Sequence, residues 1–322
     1  MPRLSVLLPV YQGEATLAEA LESLLEQSFR DFEVLVIDDG STDRSSAIAE
    51  SFVARDSRVK LLRRSHGGHT RWLREAVENA ASELVARMDA DDIARPERFE
   101  KQVAYLDAHP ECVAVGAEAL RVDPERRPLG LLGVALDHDA IDADLLRGRG
   151  DALLHPLATM RRDALLAVGG YRPETEPGED FDLFLRLAEH GRLANLPDVL
   201  LEYRQHPAKV SSTRRGEQRR AKDAVLLEAR VRRGLPPPPP RAGGEAPERL
   251  DAGAHFDRWA RFALEDGHLA TARRYAFAAW RHSPASARAL RLVLRALLGI
   301  RQETLAAWRT RLAYLLRAAR VG

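Results

Sequence analysis

Short apolar runs alternate with longer amphipathic segments over the first 120 residues of the chain. The runs are strand-sized and rich in valine, leucine and isoleucine, and they fall at residues 4–8, 33–38, 59–62, 84–88 and 113–116. Segments with helical spacing lie between them, at residues 16–27, 43–55 and 96–108. In the first of these, Thr16 and Glu19 match a capping box. The alternation predicts an α/β fold with a doubly wound, mostly parallel sheet, which binds ligands beyond the carboxyl ends of its strands.

The second half of the chain changes character at a run of prolines. Residues 156–205 return to a mixed α/β pattern, with an amphipathic helix at 180–189. Five consecutive prolines at 236–240 favour an extended spacer. The sequence therefore predicts a large α/β domain at 1–234, a proline-rich linker at 235–250 and a small all-helical C-terminal region at 251–322.

The C-terminal region has a weak internal pattern. It resembles a single tetratricopeptide-type helix pair, and a generic helical bundle fits equally well. The pattern consists of Trp259, Ala263, Gly267, Ala272, Tyr275, Ala279 and Pro284. One such repeat does not bury its own apolar face, so we expect it to need the following helices or a partner.

Charge and cysteine content indicate which partners and which cellular location we expect for the protein. The net charge of the 322 residues is +1, but the stretch from Asp251 onward carries 13 arginines against five acidic residues. Such a basic tail is compatible with peripheral contact to an anionic membrane or a protein, or with an ordinary solvated helical face, and we expect no nucleic-acid partner. The single cysteine, Cys112, lies in a strand-like run and predicts a buried, inert thiol. We see no leader-like segment and no run of 18 apolar residues, so we expect a cytoplasmic protein, with the inner face of the membrane as a site of peripheral binding.

Two apolar strands end in clusters of carboxylates. The run at 33–38 leads into Asp38 and Asp39, followed by a turn and a helix. A capping turn explains Gly40 to Asp43 but not the acid pair, which can accept hydrogen bonds from a nucleobase or a ribose. The run at 84–88 leads into Asp89, Asp91 and Asp92. Three carboxylates this close repel one another unless a cation lies among them, and Mg²⁺ or Mn²⁺ suits such oxygen ligands; the alternative is a solvated acidic loop.

In these clusters and in several further motifs, the chain resembles family 2 glycosyltransferases of the GT-A type. The resemblance covers roughly residues 3–215 and rests on motifs in the family's order: Ser5-Val-Leu-Leu-Pro9-Val10-Tyr11, Asp38-Asp39-Gly40-Ser41-Thr42-Asp43, Asp89-Ala-Asp91-Asp92, Arg95-Pro96-Glu-Arg98, His155-Pro156, Gly169-Gly170-Tyr171-Arg172, Glu179-Asp180-Phe-Asp182 and Tyr203-Arg204-Gln-His206. It implies an inverting, metal-dependent enzyme that moves a sugar from a nucleotide-diphosphate sugar, with UDP favoured, to a hydroxyl acceptor. The acceptor class it implies is a glycan, a lipid-linked sugar or a protein, in cell-surface polysaccharide or glycan synthesis.

The resemblance also implies roles for individual residues. The catalytic base would be Asp180, with Glu179 beside it at the start of a helix whose N-terminus favours ionised carboxylates. Donor-binding residues would be Pro9, Tyr11, Asp39, Arg71, Asp89 and His206. Metal ligands would be Asp91, Asp89 and His206, holding Mn²⁺ or Mg²⁺.

The chain departs from the family pattern at two places. Arg74-Glu75-Ala76 stands where the family usually has an asparagine and a glycine, and the Gln-x-x-Arg-Trp element of processive polymerases is missing after Asp180. The second departure favours addition of a single sugar. We expect His66, His69, His138 and His155 to be structural rather than zinc ligands, and Trp72 to be a core residue. Two alternatives remain: a nucleotidyltransferase, and a degenerate transferase domain that acts as a binding scaffold.

Overall fold

A computed structural model describes residues 1–239 and 250–301 of the protein. Its strands are β1 (Leu4–Val10), β2 (Phe32–Asp38), β3 (Val59–Arg63), β4 (Leu84–Arg87), β5 (Ile93–Ala94), β6 (Cys112–Val122), β7 (Pro128–Leu131), β8 (Thr159–Arg161) and β9 (Arg192–Arg204). Its helices are α1 (Leu17–Leu25), α2 (Ser45–Arg55), α3 (His69–Asn79), α4 (Arg98–Ala108), α5 (His138–Leu146), α6 (Arg162–Ala167), α7 (Glu179–His190), α8 (Val210–Thr213), α9 (Arg215–Arg232), α10 (Ala252–Glu265), α11 (Leu269–His282) and α12 (Ala287–Leu298).

The strands form one sheet in the order β3-β2-β1-β4-β8-β6-β9-β5, with β7 paired to β6. The first four strands are parallel, and Leu4 of β1 aligns with both Phe32 and Leu84. β8 then runs antiparallel to β4 and to β6. The predicted α/β sheet is confirmed. Because β2 and β4 flank β1 in parallel, their carboxyl ends lie at the same edge, and that edge carries both acidic clusters.

Helices cover both faces of the sheet, as expected for a doubly wound fold. Alternate residues of β1 and β4 point to opposite faces. On one face, Leu4, Val6 and Leu8 pack against α1, α2 and α4. On the other, Leu7 and Val85 pack against α3, α6 and α7. Each face of the sheet therefore buries its own apolar core. The turns at the strand ends lie outside both cores and carry the candidate site residues.

The capping box at the start of α1 was a wrong prediction. Thr16 precedes the helix, but its side chain makes no capping hydrogen bond. The Glu19 carboxylate instead forms an ion pair with Arg204, at the end of β9. A charged partner from a distant strand has replaced the local contact that the spacing suggested.

The described residues group into two compact units. Among the described residues, the first comprises residues 1–119, 132–204 and 214–239, and the second comprises residues 120–131, 205–213 and 250–301. In the second unit, α10, α11 and α12 bury Trp259, Ala263 and Leu292 together with Leu129 of β7. The predicted C-terminal helical region is confirmed.

Other features of the second unit leave predictions open. Gly267, with φ of +83°, lies between α10 and α11, where the tetratricopeptide-type pattern requires a turn. The linker boundaries stay a prediction, because residues 240–249 lie outside the described part, as do Trp308 and the rest of 302–322. Within the described residues, no helix is long and apolar enough to cross a bilayer.

Candidate active site

The acid pair after β2 divides into a turn residue and a site residue. Asp38 Oδ1 accepts a hydrogen bond from Ser41 N at 2.9 Å, and Oδ2 accepts one from the Ser46 hydroxyl. Asp38 therefore holds the turn into α2. Asp39 follows it with 4% of its surface exposed.

The Asp39 carboxylate is held by the loop before α3 and by the helix itself. Oδ1 accepts hydrogen bonds from Trp72 Nε1 at 2.8 Å and from Gly67 N at 3.0 Å. Oδ2 lies 3.1 Å from Nδ1 of His66. Trp72 is buried, as predicted for a core residue, and it also fixes the orientation of Asp39.

An aromatic pair lies beside Asp39. Tyr11 follows β1, is 50% exposed and stacks on the His66 ring with centroids 4.3 Å apart. Pro9 is half-buried two residues earlier, aligned with Ile37 of β2. Three of the residues to which the resemblance assigns the donor, Pro9, Tyr11 and Asp39, thus lie at one edge of the sheet.

The acidic triplet after β4 converges as predicted. Asp89, Asp91 and Asp92 place one carboxylate oxygen each within 4.8 Å of the others. Asp92 is fully buried and accepts a hydrogen bond from Arg204 N at 2.9 Å, while the Asp91 carbonyl accepts one from Arg204 Nε at 2.8 Å. Three carboxylates at this spacing match the oxygen donors that hard divalent cations take.

Two buried arginines, Arg87 and Arg98, lie beside the triplet. Arg87, 4% exposed, donates from Nη2 to Asp89 Oδ1 at 2.6 Å. Its Nε and Nη1 are buried with no hydrogen-bond partner among the described residues. Arg98 donates to the Arg87 carbonyl at 2.7 Å, and burial lowers the pKa of Arg98 to about 9. Burial acts to lower the pKa of Arg87 too, but Asp89 raises it overall, so both guanidinium groups stay charged at neutral pH. A buried cation next to an acidic cluster offsets part of its repulsion.

The start of α7 presents Glu179 and Asp180 as the resemblance implied. Glu179 Oε1 lies 2.9 Å from Nε2 of His69, at the start of α3. Burial acts to raise the pKa of Glu179, but the hydrogen bond and charge of His69, with the charge of Arg87, lower it overall. Burial likewise acts to lower the pKa of His69, but Glu179 and Glu176 raise it. Asp180 is half-buried, and its Oδ1 accepts a hydrogen bond from Phe181 N at 2.7 Å.

These contacts connect the two acidic strand ends to α7. The helix α3 holds Asp39 through Trp72 and holds Glu179 through His69. The charge of Arg87 acts on Glu179 while its Nη2 binds Asp89. Residues from four separate stretches of sequence therefore belong to one connected set.

Several predicted site residues lie at the margin of this set. Arg71 is exposed, with its guanidinium 4.8 Å from the centre of the Trp72 ring. Arg74, at the position of the family's asparagine, pairs with Glu78 at 2.9 Å. His206 follows β9 in the second unit. The roles of Arg71 and His206 stay predictions.

Of the histidines that we expected to be structural, His66 and His69 contact residues of the site, whereas His155 lies in the core. His155 is buried against Tyr171, whose hydroxyl lies 2.8 Å from His155 Nε2. Burial and the charge of Arg87 lower the pKa of His155 well below its ordinary value, so the ring stays neutral. Among the described residues, the group suited to a metal is the aspartate triplet, not a histidine cluster.

Sequence reasoning missed Arg87 and the pairing of His69 with Glu179. A signal for the first was present, since an arginine inside the apolar run of β4 needs a buried anion, and Asp89 is two residues away. No signal marked the second, because 110 residues separate its partners.

Comparison with known proteins agrees with this geometry. The sequence model of glycosyl transferase family 2 matches residues 5–165. The chain is 34% identical over 209 residues to the putative glycosyltransferase EpsE of Bacillus subtilis, covering 63% of this chain and 73% of that protein. It is 32% identical over 214 residues to the amylovoran biosynthesis glycosyltransferase AmsE of Erwinia amylovora, covering 65% and 79%.

Solved structures share the fold at lower identity. TarS 1-349 of S. aureus in complex with UDP-GlcNAc superposes with a TM-score of 0.58 at 18% identity, over 94% of this chain and 83% of that one. The mannosyltransferase PcManGT of Pyrobaculum calidifontis, in complex with GDP-Man and Mn2+, superposes with a TM-score of 0.53 at 22% identity, over 99% and 86%. The fold is therefore GT-A. With the family match and the two relatives, it follows that this chain is a glycosyltransferase and belongs to glycosyl transferase family 2.

Proposed function

We propose that the protein is an inverting, metal-dependent glycosyltransferase that moves one sugar from a nucleotide-diphosphate sugar to a hydroxyl acceptor. The observation that carries the proposal is the link from the aspartate triplet through Arg87 to the start of α7. Arg87 donates a hydrogen bond to Asp89 of this cluster, which suits a divalent cation, and the charge of Arg87 acts on Glu179 at the start of α7. A cation and a base side by side are what departure of a diphosphate and attack by a hydroxyl require.

Asp180 is the proposed base. It is half-buried at the N-terminus of α7, where the helix dipole favours an ionised carboxylate. As the acceptor oxygen attacks the anomeric carbon from the face opposite the diphosphate, Asp180 would take the hydroxyl proton. Glu179, held by His69, would keep the helix start in place. Such a single displacement inverts the anomeric configuration and needs no covalent intermediate.

Asp91 and Asp89 are the proposed metal ligands, with His206 as a further candidate. The chemistry of the donor set fits Mn²⁺ or Mg²⁺, since all three clustered groups are carboxylates. When bound, the ion would offset the negative charge that develops on the departing diphosphate. Arg87, the last residue of β4, holds Asp89 through a hydrogen bond.

The acceptor is proposed by likeness to relatives. AmsE carries amylovoran biosynthesis in its name, which favours a polysaccharide or other glycan acceptor; a lipid-linked sugar and a protein remain the alternatives. Addition of a single sugar, the cytoplasmic location and contact of the basic tail with a membrane or a protein stay predictions from the sequence. Family membership argues against the nucleotidyltransferase alternative, and the intact aspartate triplet argues against a non-catalytic scaffold.

A donor-cleavage assay tests the proposal. The full chain is incubated with UDP- and GDP-sugars, Mn²⁺ and a panel of glycan acceptors, and release of the nucleoside diphosphate is followed. We expect release that depends on Mn²⁺ and a product whose anomeric configuration is inverted relative to the donor, by NMR. A product with retained configuration, or release unaffected by chelation of the metal, contradicts the mechanism.

A further inference from the structure

The helix α9 begins beside the start of α7, which carries the proposed base. Glu176, in the turn before α7, forms an ion pair with Arg214, just before α9, with 3.6 Å between the two charged groups. Gly178, directly before α7, leaves room for α9, because a Cβ atom on it would lie 3.4 Å from Cγ of Lys222. The stem of Lys222 therefore packs two residues before Asp180.

The ammonium group of Lys222 lies against two neighbours that cannot neutralise it. Its Nζ is 5.8 Å from the centre of the ring of Phe181, the residue after Asp180. It also lies against Gly150, where a Cβ atom would collide with it. The ring offers a cation–π contact near the limit of its range, and the glycine offers only space.

Lys222 has neither a hydrogen bond nor an ion pair with any residue in 1–239 or 250–301. The carboxylates of Glu179 and Asp182, in the first turn of α7, are already paired, with His69 and with two arginines. The lysine is half-buried, so it has lost part of its hydration without gaining a counter-charge. An unpaired cation in this position indicates a partner from outside the chain.

Two further features make the same place positive. Arg215 lies two helical turns before Lys222 on the same side of α9, and its Nε is buried with no hydrogen-bond partner in the described part of the chain. The N-terminus of α7 carries a partial positive charge, which disfavours a nearby ammonium group. The arrangement is therefore unfavourable unless an anion lies between these groups.

Lys222 is also near the proposed base. Burial and the charge of Arg87 lower the pKa of His155, while the charge of Asp180 acts to raise it and the charge of Lys222 to lower it. Both Asp180 and Lys222 therefore lie within electrostatic range of one buried ring.

Resting on the function proposed above, we infer that Lys222 and Arg215 bind a negatively charged group, a carboxylate or a phosphate, that the acceptor carries close to its reacting hydroxyl. An acceptor anion at Lys222 supplies the missing counter-charge and orients the hydroxyl toward Asp180. A neutral glycan leaves the ammonium group unpaired, so the site selects acidic acceptors. Lys222 is thus a specificity-determining residue for the acceptor and takes no part in proton transfer.

The experiment is calorimetric titration of the full chain, with UDP and Mn²⁺ present, against matched pairs of oligosaccharides. One pair is an oligo-uronate and its methyl ester, and the other is a phosphorylated oligosaccharide and its dephosphorylated form. In at least one pair the charged member is expected to bind about 10-fold more tightly, because hydrogen bonds between charged groups are the stronger kind. The pair that shows the preference identifies the group as a carboxylate or a phosphate. Equal affinities within both pairs, or no binding of any member, overturn the inference, and the donor-cleavage assay still decides the proposed function.

Lys222→Gln is expected to abolish the preference for the charged member while leaving the affinity for UDP unchanged. Lys101→Gln, which removes the same charge from an exposed pair with Asp198, is the matched control and should keep the preference. A Lys222→Gln chain that still prefers the charged member overturns the role of Lys222. A fall in UDP affinity as large as the fall in acceptor affinity shows that the ammonium group contacts the donor diphosphate, and also overturns the inference.

Gly150→Ala keeps the inference testable if Lys222→Gln does not fold. The added methyl group meets the flexible end of Lys222 rather than backbone, so the fold is expected to hold while the ammonium group moves. The preference for the charged member is expected to fall about threefold or more, since a hydrogen bond weakens as its geometry is distorted. An unchanged preference in Gly150→Ala shows that the acceptor charge does not meet Lys222 at this position, and overturns the inference.

Discussion

The carboxylates that follow β2 and those that follow β4 lie at the same edge of the sheet, but the protein treats them differently. After β2, both oxygens of Asp38 and of Asp39 have partners within the protein. After β4, one carboxylate oxygen each of Asp89, Asp91 and Asp92 lies within 4.8 Å of the others, and Arg87 donates a hydrogen bond to Asp89. The first cluster holds each carboxylate separately by hydrogen bonds, whereas the second gathers three carboxylates at one point.

This difference separates two kinds of chemistry. A carboxylate whose orientation is fixed by hydrogen bonds presents an oriented acceptor, which suits recognition of a base. Three carboxylates gathered at one point favour binding of a divalent cation, which suits a diphosphate. We therefore expect the same residue type to serve base recognition on one side of β1 and cation binding on the other.

The largest expected difference between the two acidic clusters is in turnover. Asp180→Asn removes the proposed base beside the second cluster, and we expect a fall in kcat of about 10²–10⁴-fold with donor binding retained. Glu174→Gln, a change at an exposed acid of the same segment, is the control and should leave kcat unchanged. Steady-state rates with saturating donor measure both. An Asp180→Asn enzyme with normal kcat would remove the base assignment.

Stability is expected to respond next, because only the second cluster rests on a buried cation. Arg87→Met leaves Asp89 and Glu179 without that charge, and removing one partner of a buried pair costs about 3–5 kcal/mol of unfolding free energy. Arg74→Met, which breaks the exposed pair with Glu78, should cost about 1 kcal/mol or less. Urea denaturation compares them. Equal losses in the two variants would show that Arg87 does not stabilise the cluster.

Metal response is expected to distinguish Asp91 from Asp38. With Mn²⁺ and UDP at about 100 times the dissociation constant, the wild-type chain should gain about 2.7 kcal/mol in stability. Asp91→Ala should lose the Mn²⁺-dependent part of this gain, whereas Asp38→Asn should keep it while lowering the baseline. Thermal unfolding with and without Mn²⁺ gives the comparison. Loss of the Mn²⁺ effect in both variants would mean that the two clusters do not differ as described.

The smallest expected effect concerns the pair of His69 and Glu179, which connects α3 to α7. Burial acts to lower the pKa of His69, but Glu179 and Glu176 raise it overall, while His69 lowers that of Glu179. The pair is therefore charged, and its contribution to stability is full, between about pH 4.5 and about pH 6.5. That contribution is lost as the pH rises through the folded-state pKa. His69→Gln should therefore lower the unfolding free energy by about 1 kcal/mol or less near pH 6 and by less at alkaline pH. A destabilisation by His69→Gln that increases from pH 6 to alkaline pH would contradict this account of the pair.

The sequence predicted the elements and the acid clusters because both are local patterns. Runs of valine, leucine and isoleucine marked β1, β2 and β4, and the ordered motifs pointed to Asp39, Asp91 and Asp180. Thr16 and Glu19 also formed a local pattern, yet Arg204, 185 residues from Glu19, overrode it. Local signals are reliable where no distant charge competes.

The contacts that shape the site were not predictable in the same way. Trp72 was expected only in the core, since nothing in its neighbourhood shows that its indole N–H meets Asp39, 33 residues away. His69 was set aside as structural for the same reason. These pairings follow from how α3 and α7 pack beside the sheet, which single-residue patterns do not encode.

The most direct test of the central claim is anomalous diffraction from Mn²⁺ in crystals grown with UDP. The claim is that the aspartate triplet after β4 binds one cation beside Asp180, which comes from a separate stretch of the chain. The expected result is a manganese peak bonded to a carboxylate oxygen of Asp91 and to the diphosphate, with Asp180 facing the same space. A manganese ion bound to UDP but with no ligand from Asp89, Asp91 or Asp92 would contradict it.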